Sequence, residues 1–461
     1  MAWGKPAPEG NTPSWLMRIE KNDAALTSVH VLRVRPFDES LQIDTAKALE
    51  GNEHVREFYA SGHRVTTRAA RAWAECFAIN SSIASLCIGD ESFGDACEEG
   101  CALDEALKGL AHSAAIERID LEYKGVRDES GKAIGKVLEQ SGSVRELRMG
   151  RNENFGAVGY EAVFAGAKSG ATLETLDLTD NTLDSDAARA LGNFLKGSSC
   201  MKRLGLTRCS VKAEELREIG AGLAQEKASL ERLEMSGVNL GDGGAESCFG
   251  SFGTGPKTNF LEFEFVQCEI KEARDVEALD SLLRASPKCV NVNLRGNAFG
   301  DSGLATLANG AFASRTPESI DLGSCGLTGA SADSLIFALN GSSSISLFDN
   351  AFGDAGVGKI FDSARGCPVK LLDLGAVGLT VEGLRALVQA LENAETFPNL
   401  QTLVIGGNPG AQDDDWEGLV NKLRAVRPSL DVAWRAADGG DDLKFQRDDT
   451  GRIIGVEKYI L

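Results

Sequence analysis

The chain has 461 residues, of which 43% are hydrophobic, 25% charged and 6% aromatic, values that are ordinary for a soluble globular protein. Its 68 acidic and 48 basic residues give a formal net charge of −20, which opposes binding to nucleic acid or to an anionic membrane. No apolar run approaches the ~20 residues that span a bilayer, and the N-terminus lacks the basic-then-apolar order of a secretory signal. We therefore expect a cytoplasmic protein that binds neither nucleic acid nor a membrane, with the nucleus or a ciliary axoneme as alternative locations.

The first segment, residues 1–28, is interpreted as an N-terminal tail and a capping helix. Residues 1–13 are rich in Pro and Gly, and the pattern over 14–28 predicts a short helix. We expect Trp15 and Leu16 to contact the first repeated unit. A solenoid needs such a cover because its terminal units would otherwise expose their core.

A short pattern, apolar-x-x-apolar-x-apolar, then recurs over residues 29–435. Clear copies lie at 116–121, 173–178 and 230–235. The last residues of fifteen copies, from Val34 to Trp434, follow one another at a mean interval of about 28.6 residues. This regularity predicts a solenoid of about 15 units of 28–29 residues.

An Asn or Cys follows most copies after three residues. These residues are Asn152, Asn181, Cys209, Cys268, Asn297, Cys325, Asn350 and Asn408. Together with the apolar positions they make up the leucine-rich-repeat consensus. A buried Asn can bond the backbone of neighbouring units, so stacked units predict a ladder of such bonds. We expect a weaker ladder where Lys124, Val238 and Val377 take this position.

The remainder of each unit has helical periodicity. Leu, Ile and Ala recur at helical spacing in segments such as 184–198, 211–225 and 380–394. Strand, turn, helix and return in each unit predict an α/β leucine-rich-repeat solenoid. Units of this length have room for a full helix on the outer side, so we expect a horseshoe with a parallel sheet on its concave face and helices on its convex face.

These features resemble the ribonuclease-inhibitor class of leucine-rich repeats. The resemblance is carried by the period, by the mixture of Asn-type and Cys-type units and by the L-G-D-x-G phrase at 240–244. The class also includes the GTPase-activating proteins of the Ran GTPase and the sensor regions of NOD-like receptors. The resemblance covers residues 29–435 and implies the fold; it does not specify a partner, because one scaffold serves many.

The unit between residues 88 and 121 is about five residues longer than its neighbours, around Cys97 and Cys101. These are the only two of the eleven cysteines close enough to suggest a metal site. The chain has four His and no second Cys pair nearby, so we predict neither a metal nor another cofactor. The odd number and wide scatter of the cysteines indicate buried free thiols in a reducing compartment.

The last segment, residues 436–461, differs from the repeats. Apolar residues flank a D-D-T-G turn, which predicts a β-hairpin that caps the solenoid or, alternatively, offers an edge strand to a partner. Trp416 and Trp434 lie near this end, whereas no Trp lies between residues 74 and 415. Because Trp is favoured in interfaces, both are candidate anchors for a partner; the alternative is burial in the end units.

One strand position forms a row of acidic residues. The residue between the last two apolar positions of each copy points away from the core, because side chains alternate along a strand. Between residues 81 and 409 the charged members of this row are Asp120, Arg148, Asp177, Glu234, Glu264, Asp321 and Asp373. That segment carries 17 of the 20 net negative charges. We predict a concave docking surface for a basic protein, flanked by Arg118, Arg203 and Arg232; the alternative is that the charge only keeps the solenoid soluble.

The sequence contains no catalytic signature that we recognise, and we predict a non-catalytic scaffold. It would bind a protein partner through its acidic concave face and its ends, as a monomer or as a subunit of a hetero-complex. One alternative is a GTPase-activating protein similar to the Ran-directed family, although that family usually carries a polyacidic stretch after its repeats. Another is a ribonuclease-inhibitor-like inhibitor of a basic enzyme, although known inhibitors are much richer in Cys. A structural component of a large assembly, such as an axoneme, is a further alternative.

Overall fold

The computed structural model describes residues 12–434 except 99, 226–228 and 256, together with two strands at 445–447 and 453–456. The chain divides into two compact units, Met1–Ser210 (unit 1) and Val211–Leu461 (unit 2). Both repeat the same motif, a short strand followed by a turn and a helix. The described residues contain fifteen such repeat strands in parallel arrangement, which confirms the predicted α/β leucine-rich-repeat solenoid.

Unit 1 contributes seven of these parallel strands among its described residues. Its strands are β1 (Ser28–His30), β2 (Glu57–Ser61), β3 (Ser85–Gly89), β4 (Ala96–Cys97), β5 (Gly100–Cys101), β6 (Arg118–Asp120), β7 (Glu146–Arg148), β8 (Thr175–Asp177) and β9 (Arg203–Gly205). Its helices are α1 (Ser14–Glu20), α2 (Glu39–Glu50), α3 (Thr67–Ile79), α4 (Ala102–Leu110), α5 (Asp128–Gln140), α6 (Ala157–Gly170) and α7 (Ser185–Gly197). All strands except β4 and β5 pair in parallel in chain order.

Unit 2 contributes the other eight. Its repeat strands are β10 (Arg232–Glu234), β11 (Glu262–Glu264), β12 (Asn291–Asn293), β13 (Ser319–Asp321), β14 (Ser344–Ser346), β15 (Leu371–Asp373), β16 (Thr402–Val404) and β17 (Asp431–Ala433). Its α-helices are α8 (Ala213–Leu223), α9 (Gly244–Phe249), α10 (Ala273–Ala285), α11 (Gly300–Asn309), α12 (Ala311–Ser314), α13 (Ile336–Gly341), α14 (Gly353–Asp362), α15 (Val381–Leu391) and α16 (Asp415–Val426). Shorter 3₁₀ segments lie at Gly250–Thr254, Gly329–Leu335 and Pro409–Gln412.

The core of each unit lies between its sheet and its helices. The middle residue of each repeat strand points inward, as Leu176 does when it pairs in register with Leu147. Helix α7 begins after Asp184, whose carboxylate accepts a 2.9 Å hydrogen bond from the Ala187 amide, and it buries Leu191 against this core. The outward residues of the strands are thereby left on the opposite face, and we call that surface the sheet face.

The predicted ladder is present in unit 1. The buried Asn152 donates to the carbonyls of Leu121 and Met149 at 3.0 and 2.8 Å. Its Oδ1 atom accepts from the amides of Lys124 and Val126 at 3.2 and 3.0 Å. It also donates to the Gly150 carbonyl at 3.0 Å, so one amide side chain bonds five backbone groups.

The ladder continues in unit 2 with the same geometry. Asn297 donates to the carbonyls of Phe265 and Leu294 at 2.6 and 2.8 Å. It accepts from the amides of Cys268 and Ile270 at 3.0 and 3.2 Å. The Cys268 thiol takes the equivalent place one repeat earlier, and its sulfur lies 3.1 Å from the Met235 carbonyl and 3.5 Å from the Val266 carbonyl.

The ladder changes where other residues take the Asn position. Lys124 is buried, and its ammonium donates a 2.6 Å hydrogen bond to the Ser61 hydroxyl. Val377 offers no polar side chain, but its amide still donates to Oδ1 of Asn408 at 2.9 Å. At these positions the backbone amide keeps its ladder bond to the next Asn, whereas the side chain supplies no amide group to the neighbouring backbone.

The first predicted copy was placed three residues too late. Strand β1 pairs with β2 so that His30 lies opposite Tyr59, which makes Val31 the counterpart of Ala60. Val31 is buried, whereas Val34, the predicted last apolar position, is 85% exposed. The loop after β1 is itself apolar and imitates the repeat, and this explains the error.

Both ends contain elements at the predicted places. Helix α1 ends at Glu20, so it is shorter than the predicted 14–28; it buries Leu16 and Ile19, and Trp15 packs edge-on against Phe37. At the other end, strands β18 (Phe445–Arg447) and β19 (Ile453–Val456) pair antiparallel, as in a hairpin. Residues 1–11 and the remainder of 436–461 lie outside the described residues, so the division into tail, solenoid and cap stays a prediction.

The longer unit around Cys97 and Cys101 contains the antiparallel pair β4–β5. The two thiols lie in different surroundings: the Cys97 sulfur is 3.7 Å from the Thr67 hydroxyl, and the Cys101 sulfur is 3.9 Å from the Ser130 hydroxyl. All eleven cysteines are free. Eight are buried as predicted, but Cys97 is exposed, and Cys101 and Cys200 are half-buried.

Candidate protein-binding surface

The acidic row of unit 1 lies on the sheet face together with arginines. Asp120 and Asp177 are half-buried at the ends of β6 and β8. Glu146, at the start of β7, lies 2.6 Å from Nε of Arg118 and 2.7 Å from Nε of Arg148. Burial alone would raise the pKa of Glu146, but the two arginines outweigh burial and hold the pKa below its ordinary value. Much of the negative charge of this face is therefore neutralised locally.

The two aspartates of this row also stabilise the turns that follow their strands. Oδ1 of Asp120 accepts from the Glu122 amide at 2.9 Å. Oδ1 of Asp177 accepts from the Thr179 amide and hydroxyl at 2.9 and 2.6 Å. An acidic side chain that bonds the backbone two residues later is a common turn device, so part of the row has a structural role.

Sequence reasoning missed an exposed ridge on the turns of unit 1. The ridge consists of the four residues that directly precede a ladder position and have φ between 52° and 58°: Tyr123, Arg151, Asp180 and Arg208. The Arg151 guanidinium lies 5.5 Å from the centre of the Tyr123 ring, and Arg208 forms two 2.6 Å bonds to Asp180. At the same turn position unit 2 has glycine in three copies, such as Gly296, and Gln267, Ser324, Asp349 or Ala376 in the others. A large residue where other copies have Gly is the signal that could have revealed this ridge.

In unit 2, one arginine holds three glutamates. The side chain of Arg232 is 17% exposed and contacts the carboxylates of Glu234, Glu262 and Glu264, the last two at 3.1 Å. Burial alone would lower the pKa of this guanidinium, but the three carboxylates outweigh burial and raise it. The predicted flanking arginine is therefore the centre of the cluster. Arg203 of unit 1 is half-buried on β9.

Two aspartates of unit 2 are buried on the sheet face without an ion pair within 4 Å among the described residues. Oδ1 of Asp321 accepts from the Gly323 amide at 2.8 Å. Asp373 is 1% exposed; it accepts from the Gly375 amide at 2.9 Å and from the Ser346 hydroxyl at 3.2 Å. Burial raises the pKa of both, that of Asp373 to about 6.

A shallow depression, which we call the unit 2 depression, lies on the sheet face over β10–β14. Its lining comprises Arg232, Glu262, Phe263, Glu264, Asn291, Val292, Asn293, Ser319, Ile320, Asp321, Ser344 and Ser346. The outward side chains change along the sheet, from glutamates on β11 through asparagines on β12 to Ser319 and Asp321 on β13 and serines on β14.

The predicted end anchors differ in accessibility. Trp416 is fully buried in α16, and its ring packs closely against Gly410. This position contradicts its predicted use as a surface anchor: the large ring fills the core of the last repeats. Trp434 follows β17 and is half-buried.

Neither a metal site nor a membrane segment stands out in the described part of the chain. No three or more His, Cys, Asp or Glu side chains are grouped so that they could hold a metal ion there. None of the helices in that part has the length and apolar character that a bilayer crossing requires.

The comparisons with known proteins agree with the repeat pattern. A family model described as a leucine-rich repeat matches residues 171–192 and 291–308. The ribonuclease inhibitor of Sus scrofa is 23% identical over 349 residues, which are 68% of this chain and 75% of the inhibitor. The mouse NACHT, LRR and PYD domains-containing protein 5 is 28% identical over 328 residues, which are 70% of this chain but only 28% of that protein.

Among solved structures, a chain of the yeast Rad7 and Elc1 complex is 16% identical, with a TM-score of 0.41. The match covers 87% of this chain and 90% of that one, a likeness too low to bear on function. The repeats and the Asn and Cys ladder make the chain a leucine-rich-repeat solenoid, and its sequence is similar to those of ribonuclease inhibitors.

Proposed function

We propose that this protein is a non-catalytic interaction module that binds a basic protein through its sheet face, with unit 2 as the principal contact surface. The observation that carries the proposal is the charge of that face in unit 2. Arg232 contacts the carboxylates of Glu234, Glu262 and Glu264, and Asp321 and Asp373 have no arginine or lysine within ion-pair distance among the described residues. A surplus of carboxylates on one face attracts basic partners and speeds their association.

The cost of keeping this charge in the free protein supports the proposal. Burial disfavours an ionised carboxylate, and the raised pKa of Asp373 is the sign of that cost. A cationic partner would relieve it on binding. The same surplus gives the interaction a dependence on salt, because screening weakens charge attraction on exposed parts of the face.

Affinity capture at low and moderate salt tests the proposal. The bait is the full chain, and the comparison is a variant with Glu234→Gln, Glu264→Gln, Asp321→Asn and Asp373→Asn, which removes charge at nearly constant shape. We expect the wild type to retain a basic protein at near-stoichiometric yield and the variant to lose it. Capture that the variant retains in full, or capture of acidic proteins alone, would contradict the proposal.

A second candidate is inhibition of a basic ribonuclease. It is favoured by the alignment with a protein named ribonuclease inhibitor over 75% of that protein's length. Titration of a basic ribonuclease with this chain tests it directly, and unchanged hydrolysis at a large molar excess would remove it. The GTPase-activating alternative stays a prediction, and GTP hydrolysis by a Ran-like GTPase with and without the chain is its test.

A further inference from the structure

We propose that the unit 2 depression is a subsite for a single cationic side chain, arginine or lysine, presented by the protein partner. The inference rests on the proposed function, because it names the group that the sheet face takes up and the residues that receive it. Asp321, Ser319 and Ser346 are the receiving residues, with Asp373 behind them.

The glutamates of the depression are already engaged within the protein. Arg232 bonds Glu262 and Glu264 at 3.1 Å each, and Asn291 donates to Glu262 at 2.7 Å. An entering cation would have to break these bonds in order to use those carboxylates. The glutamates on this side therefore shape the depression, and Asp321 provides the negative charge that would bind the cation.

Asp321 is held so that it can accept more bonds. Its Oδ1 atom accepts one hydrogen bond from the Gly323 amide, which fixes the carboxylate on the sheet face. An ionised carboxylate has about four acceptor positions, so one backbone bond leaves capacity for an ammonium or guanidinium group. The positive charge of Arg295 acts to lower the pKa of Asp321, against the larger effect of burial. The Arg295 guanidinium lies 4.6 Å from the centre of the Phe348 ring, and Arg295 is not part of the lining of the depression.

Ser319 supplies an independent indication that a polar ligand belongs here. It is 8% exposed, it lies two residues before Asp321 on the same face of β13, and it lines the depression. Its hydroxyl makes no hydrogen bond to any described residue. The hydroxyl lines the depression, so an N–H of a ligand bound there would find an acceptor in it.

A second buried carboxylate, that of Asp373, favours a cation in the depression over a neutral or anionic group. Asp373 accepts from the Ser346 hydroxyl at 3.2 Å, and Ser346 lines the depression. This bond places a second buried carboxylate behind the site. An anion would meet two carboxylates, and a neutral group would leave their charge uncompensated. A partner cation therefore gains most from this position.

Three capped pentapeptides test the subsite: acetyl-Gly-Gly-Arg-Gly-Gly-amide and its lysine and citrulline counterparts. The readout is the NMR shift of the Gly323 amide of the full, deuterated chain during titration at constant ionic strength. We expect the arginine or the lysine peptide to shift this signal with saturation and the citrulline peptide to leave it unchanged. Equal binding of the citrulline peptide, or no binding of either cationic peptide, would overturn the subsite.

Matched variants locate the effect. Asp321→Asn keeps the acceptor for Gly323, so it should fold, and it should weaken binding of the cationic peptide at least about tenfold. Asp177→Asn makes the same change at the same strand position in unit 1 and should leave binding unchanged. If Asp321→Asn binds as well as the wild type, the subsite is wrong. The proposed function fails separately, if capture by the whole chain survives loss of the sheet-face charges or if only acidic proteins are captured.

Discussion

The two units build their sheet faces from similar residues but balance the charges differently. In unit 1 arginines alternate with acids, so Arg118 and Arg148 lie on either side of Glu146. In unit 2 Arg232 serves three glutamates, and Asp321 relies on a backbone amide. The comparison shows that a row of acids in the sequence does not by itself make an acidic surface, because the neighbours across the strands decide how much charge is left uncompensated.

The largest expected effect is the difference in stability between an arginine variant of unit 2 and an arginine variant of unit 1. Arg232→Ala removes a cation that contacts three partly buried carboxylates and should lower the free energy of unfolding by about 3–5 kcal/mol. Arg118 is 41% exposed, and Glu146 keeps Arg148 when it is removed, so Arg118→Ala should cost about 0–1 kcal/mol. Chemical denaturation of both variants measures the difference. Equal costs would show that the two faces are balanced alike.

We expect the Asn ladder to contribute about equally to the stability of the two units. Asn152→Ala and Asn297→Ala remove a hydrogen-bond partner from five and four backbone groups, respectively, so each should destabilise the protein by about 2–4 kcal/mol. Replacement by Asp at the same positions should also be unfavourable, because a carboxylate cannot donate to the two carbonyls. A large difference between the two Ala variants would mean that the units differ in their cores as well as on their faces.

The smallest effects concern pH and have opposite signs in the two units. In the folded state Asp373 has a pKa of about 6, raised by burial and by Asp321 and opposed by the Gly375 amide, Ser346 and Arg295. A raised pKa means that ionisation destabilises the fold, so the wild type gains stability as pH falls through 6. Asp373→Asn should therefore be more stable than the wild type by about 2–3 kcal/mol at pH 8, and the difference should vanish near pH 4.

Asp180 of unit 1 is the matched control for that titration. The hydrogen bond from Arg208 lowers the pKa of Asp180, so this residue stabilises the fold above its unfolded pKa and loses that contribution in acid. Because the pair is largely exposed, Asp180→Asn should cost less than about 1 kcal/mol at neutral pH. The stability difference between the wild type and Asp180→Asn should therefore stay constant from about pH 8 to pH 5 and close only in more acid solution, whereas the Asp373→Asn difference, of opposite sign, should close as the pH falls from about 6 to 4. An Asp373→Asn curve that runs parallel to that of the wild type would contradict the raised pKa of Asp373.

The features that recur in every repeat could be predicted from the sequence, whereas the contacts of individual side chains could not. The fifteen strands and the Asn ladder follow from the spacing of apolar and Asn residues, since each unit can bury its core only by stacking on the next. Val34 was misassigned because an apolar loop imitates the repeat. Trp416 was misjudged because sequence alone does not show whether a Trp near the end of a solenoid fills the core or lies on the surface.

The sheet face illustrates the limit more closely. Alternation along a strand correctly predicts that Asp321 and Asp120 point away from the core. It does not predict that Asp321 is buried and Asp120 half-buried, because exposure depends on side chains from strands that are about 28 residues away in the chain. The ion pairs of Arg232 with Glu262 and Glu264 have the same cause, since parallel register places those residues side by side.

The most direct test of the account is the affinity of the captured partner for two matched double variants. Asp321→Asn with Asp373→Asn removes the uncompensated charge of unit 2, and Asp120→Asn with Asp177→Asn makes the same change in unit 1. Calorimetric titration of the purified partner should show at least about tenfold weaker binding to the unit 2 variant and less than about threefold weakening for the unit 1 variant. Equal affinities for the two variants, or a loss confined to the unit 1 variant, would contradict the claim that unit 2 provides the binding surface.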